Sequence, residues 1–182
     1  MCRSFNAHWA GLNVAFRQAA GPGETLAIVE NLPALSTDRY ALLLQRRTDG
    51  IRVLRMEWQQ EAWSEAANTW RDNATTWDCF SRGTSVPVTV TALDVPQNRM
   101  QESVTTLEQV DLRSDRCARR SDRECAMILD GRAFSVQVGD SAPILLTDVK
   151  GLRGYVSENP PLSEWVYKLL GEAKHARRIN TN

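Results

Sequence analysis

The sequence predicts an α+β fold: a single domain with an antiparallel sheet packed against an N-terminal helix, a middle helix and a C-terminal helix. Three observations predict it. Apolar residues recur at helical spacing near both ends of the chain and around residues 57–72. Valines alternate with other residues at 86–92. Asp-Gly pairs at 49–50 and 130–131 separate apolar runs, as hairpin turns do. With 182 residues the chain is long enough for one proper core. No repeat, low-complexity tract or linker divides it, so residues 1–182 read as one domain, with 1–3 and 179–182 as flexible ends.

The elements follow in order. Phe5, Trp9, Leu12 and Phe16 form one stripe of a helix over 4–19, with Ser4 as N-cap and Gly21-Pro22-Gly23 as its stop. Residues 25–30 read as a short extended strand. Residues 36–47 allow two readings. The first is a helix, capped by Ser36-Thr37-Asp38 and followed by a strand at 51–56. The second is a hairpin turning at Asp49-Gly50. The helix is taken first.

Trp58, Ala62, Ala66 and Trp70 recur every four residues and predict a helix over 57–72. Val86, Val88, Val90 and Ala92 predict a half-buried strand, with Pro87 confining it to an edge or its start. Val104, Leu107, Val110 and Leu112 fit either element. Residues 126–129 and 133–138 read as a hairpin around Asp130-Gly131, and Ile144–Thr147 as a further strand. Last comes a helix with Asn159 as N-cap and Pro160 at its first turn. Its apolar face holds Leu162, Trp165, Val166, Leu169 and Leu170, and Lys174, Arg177 and Arg178 complement its negative end.

Charge narrows the choice of partners. The 22 basic and 22 acidic residues cancel, so the chain lacks the overall positive field that nucleic-acid binders use, and nucleic acid is not expected as a partner. The cations are 19 Arg and only 3 Lys, which reads first as codon preference. Apolar residues make up 42 % of the chain, yet no run approaches the roughly 20 that span a bilayer.

The four cysteines are Cys2, Cys79, Cys117 and Cys125. None forms a C-x-x-C pair, which disfavours zinc and redox sites. Cys117 and Cys125 flank a charged loop with little apolar material, and a disulfide there would stabilise it by roughly 2–3 kcal/mol. Cys2 carries three readings. It is the lipidated first residue of a mature lipoprotein, the disulfide partner of Cys79 in an exported protein, or part of a cytoplasmic start. The first two place the chain in the periplasm or lipid-anchored at the outer membrane, touching membrane only through lipidation at Cys2. The third places it in the cytoplasm.

Recognisable catalytic apparatus is scarce. His8 and His175 are the only histidines, and neither has ligand-like neighbours. No glycine-rich phosphate loop or nucleophile elbow occurs, and neither metal nor cofactor is expected. Paired carboxylates stay open, with Glu57, Glu61, Asp78 and Asp94 as candidates. The loop at 111–124 interleaves acids with Arg113, Arg116, Arg119, Arg120 and Arg123. Arginine is enriched at interface hot spots, and a pinned loop loses less entropy on binding. The leading expectation is therefore a non-enzymatic envelope protein that binds another protein through these arginines, as an inhibitor, an immunity protein against a toxin or an assembly lipoprotein. The alternatives are an envelope hydrolase with paired carboxylates and a small-ligand binder with a Trp-lined pocket.

The disulfide expectation has a direct check. Alkylation without reductant should leave Cys117 and Cys125 unmodified in the intact-protein mass. Four modified thiols would overturn it.

Overall fold

Both Gly21 and Gly23 adopt positive φ (72° and 150°), a region that glycine enters at no steric cost. They turn the chain out of a helix at 14–20 (α1) and into the sheet. The computed structural model describes residues 14–33, 40–58, 88–112, 132–141, 144–148 and 160–179. Over these residues the chain forms β1 (Glu24–Pro33), β2 (Tyr40–Arg47), β3 (Gly50–Trp58), β4 (Val88–Asp94), α2 (Gln97–Glu108), β5 (Arg132–Val138), β6 (Ile144–Asp148), α3 (Pro160–His175) and β7 (Arg177–Ile179). The seven strands make one sheet in the order β6-β5-β1-β2-β3-β4-β7. Every neighbouring pair is antiparallel.

Side chains alternate between the two faces of this sheet, and both faces are covered. On the first face Ala27, Val29, Leu42, Leu44, Val53, Leu93, Phe134 and Val136 pack with Met100, Val104 and Leu107 of α2 and with Leu162, Trp165, Val166 and Leu169 of α3. On the second face Ile28, Ala41, Leu43, Leu54 and Met56 pack with Phe16 of α1. The Phe16 and Trp58 rings meet at 5.2 Å between centroids. The expected architecture, an antiparallel sheet with helices packed on it, is thus the observed one.

Individual elements depart from expectation in instructive ways. Residues 40–47 are strand β2, so the hairpin reading is the right one there and the helix expected over 36–47 is not formed at 40–47; its proposed cap at 36–38 lies outside the described residues. Ala41-Leu42-Leu43-Leu44 is a continuous apolar run because successive residues face opposite buried layers. Such a run carries no period, and helix and strand cannot be told apart from it. Trp58 ends β3 and does not begin a helix; the rest of 57–72 lies outside the described residues. Residues 102–108 belong to helix α2. Strands at 24–33, 88–94, 132–138 and 144–148 and the helix from Pro160 agree with the sequence.

The hairpin between β2 and β3 is tied to α2 by one side chain. Gln97 accepts from the Ile51 backbone N–H at 3.0 Å and donates to the Ile51 carbonyl at 2.8 Å. It therefore satisfies both backbone groups of Ile51, which would otherwise lack partners. Gly50 makes room for it: φ is 128° there, and an added Cβ would sit 2.6 Å from Gln97 Oε1. Gly50→Ala should cost about 1–3 kcal/mol from backbone strain alone, with displacement of Gln97 adding to it. Chemical denaturation measures this, and a loss within error of zero would contradict the clamp.

Candidate functional site

None of the cysteines and loop arginines singled out from sequence falls in the described structure. Cys2, Cys79, Cys117 and Cys125, and Arg113, Arg116, Arg119, Arg120 and Arg123, all lie outside the described residues. Glu61 and Asp78 also lie outside them. Two of the carboxylate candidates are placed. Glu57 lies on the first face of the sheet and accepts from Arg55 Nε at 2.7 Å. Asp94 is exposed on the second face, in line with Val90 and Ala92. Facing opposite ways, Glu57 and Asp94 do not converge.

Of the tryptophans, two are described. Trp165 is buried and donates to Ser103 O and Oγ at 2.9 and 3.0 Å, and Trp58 packs on Phe16. Both serve packing. Among the described residues one carboxylate is buried, Glu30, at 1 % exposure. It stands on the second face between Ser135 and Ala41, in a row that continues to Met56 and Val90. No second carboxylate shares that row. The Ser135 hydroxyl, also buried, has no hydrogen-bond partner.

The described surface shows its clearest asymmetry in its cations. Arg17 pairs with Asp140, Arg46 with Glu24 and Glu108, Arg47 and Arg52 with Asp49, Arg55 with Glu57, Arg99 with Glu172, and Lys168 with Glu102. Among the described residues Lys174, Arg177 and Arg178 have no such partner, although every other described Lys or Arg side chain has one. All three are exposed, as is His175 between them.

The local fold explains how they are held. Helix α3 ends at His175, where the Ala176 N–H donates to Glu172 O at 3.0 Å. The chain then continues directly as β7, an edge strand pairing Arg177 with Asp94, Leu93 with Arg178 and Ala92 with Ile179. Arg177 and Arg178 therefore do not cap the helix dipole from within the helix, as their sequence position suggested. They project from opposite faces of a strand. Lys174 does sit in the last helical turn, where its charge complements the negative end of the dipole.

Helix α3 fixes the position of this edge. It is locked to α2 by the Trp165–Ser103 hydrogen bonds, by Lys168 donating to Glu102 at 2.7 Å and by Arg99 reaching Glu172 at 3.7 Å. Comparison with protein-family models, with curated proteins and with solved structures finds no match.

Lys168 holds the Glu102 carboxyl below its ordinary range, first through its hydrogen bond and then through its charge. A lowered folded-state pKa contributes stability above the unfolded value, and the contribution is lost as pH falls through the folded value. Glu102→Gln should therefore lower the melting temperature at neutral pH, and the two proteins should converge as pH drops below the ordinary glutamate range. Melting curves that stay parallel down to acid pH would rule out this contribution from the pair.

Proposed function

We propose that this chain is a non-enzymatic protein of the periplasm or outer envelope that acts by binding another protein. Its class of action would be that of an inhibitor, an immunity protein against a toxin or an envelope assembly lipoprotein. The observation that carries the binding reading is that Lys174, Arg177 and Arg178, on a sheet edge anchored by α3, form no ion pair among the described residues. Charges left unpaired in a chain that pairs its other described cations are available to a partner's acids. Such charges speed encounter and select the partner by sign. Because α3 already holds the edge in place, less ordering entropy is lost on contact.

The envelope setting rests on the expected disulfide between Cys117 and Cys125 around the arginine-rich loop, a bridge suited to an oxidising compartment. That loop carries five arginines against four acids, a second candidate contact of the same sign. The two surfaces make separable predictions. With the protein as bait in an envelope extract of the source organism, a specific partner should be retained by the wild type. Arg177→Glu with Arg178→Glu should reduce its retention at least about tenfold, the expected effect of losing two charged contacts. Arg116, Arg119 and Arg120 replaced together by Ala should weaken the same capture through the loop. Circular dichroism should show the Arg177/Arg178 variant folded, since such exposed positions alter stability little, and it serves as the folding control for the loop variant. Retention unchanged in both variants would remove the binding reading.

A further inference from the structure

We propose that the partner contributes an extended acidic segment, which adds as an antiparallel strand to the free edge of β7. This inference rests on the protein-binding reading above and specifies its mode of contact. Strand β7 is last in the sheet order, so among the described residues its outer N–H and C=O groups face no neighbouring strand. Its three side chains are all exposed, and Ile179 is 47 % exposed, one of only two large apolar residues so exposed among those described. An edge of this kind offers main-chain hydrogen bonds for affinity and alternate side chains for specificity.

Alternation along the strand defines what the edge would read. Arg178 shares a face with Leu93, whereas Arg177 and Ile179 lie on the other face with Asp94 and Ala92. A strand running antiparallel to β7 meets Ile179 first, then Arg178, then Arg177. Its matching order, from N- to C-terminus, is apolar, acidic, acidic. Asp94 already lies across from Arg177 on the inner side, so one carboxylate offsets part of the cluster, and a net positive charge remains for the partner.

The same residues argue against other occupants. Two copies of this edge pairing with each other would bring their arginines together, and like charges on an edge are a known means of preventing such pairing. A nucleic-acid strand could satisfy the cations, but it would use neither the edge backbone nor Ile179. Cations, free backbone and an exposed isoleucine together select an acidic peptide.

The test uses the full chain and a short fluorescent peptide carrying Ile-Glu-Glu, with binding followed by anisotropy. The peptide should bind, and binding should weaken with salt. N-methylation of successive backbone positions should cost about tenfold at alternate positions and little at those between, the signature of a ladder. Arg177→Glu with Arg178→Glu should abolish binding and should accept an Ile-Lys-Lys peptide instead, a gain that a misfolded variant could not show. Equal affinity for every N-methylated isomer would overturn strand addition while leaving charge-based protein binding intact. No binding of the acidic peptide by the wild type, or equal binding of a single-stranded oligonucleotide, would overturn the inference. Capture of a partner through the edge or the loop would then still decide the broader reading.

Discussion

Strands β1, β2 and β3 bury side chains on both of their faces, and the rest of the fold is arranged around that requirement. Leu42 and Leu44 must be covered from one side, and Ala41 and Leu43 from the other. A sheet in this position needs helices on both faces. Phe16 of α1 and the apolar stripes of α2 and α3 supply them. The polar residues that lie within these layers follow from the same geometry. Gln45, buried on the second face, donates to the Gly21 carbonyl, and Trp165 finds a partner in Ser103.

Two-sided burial also decides how much of the fold could be read from the sequence. Where a strand has one wet face its period shows, as at Val88, Val90 and Ala92, and such strands were legible. Where both faces are dry the period vanishes, and Tyr40–Arg47 could be read as a helix. The hairpin was still signalled, by Asp49-Gly50. The C-terminal helix was the most legible element because Leu162, Trp165, Val166 and Leu169 keep one broad face against the sheet and the other in solvent. Helix α2 gave a weaker signal: its short apolar stripe of Met100, Val104 and Leu107 is compatible with either element until its packing is known.

The candidate edge was legible as composition and not as geometry. Lys174, Arg177 and Arg178 were plain in the sequence, but a helix ending in cations is the ordinary answer to a helix dipole. No glycine or proline separates His175 from Arg177, so nothing local marks the change from helix to strand. That change is imposed from outside, by the free side of β4, which accepts Arg177–Ile179 as its neighbour. A tertiary pairing of this kind has no local signature. Only the later finding that the other described cations are paired distinguishes these three.

The strand order has a consequence for how the chain reaches this structure. Strands β1 to β3 follow one another closely and pair through local contacts, so they can form early. The strand that completes the other side of β1 is β5, which places Val136 against Val29 from about a hundred residues further along the chain. Until it arrives, β1 is a long apolar edge holding Ala27, Ile28 and Val29, open on the side away from β2. Bare edges of that composition recruit other chains, and late closure of distant strands is when nascent proteins are most exposed to aggregation. The arrival of β5 thus decides both the rate at which the sheet closes and the period during which the chain is vulnerable. The same topology that seals the core leaves an inner strand, β1, waiting for a neighbour from about a hundred residues away.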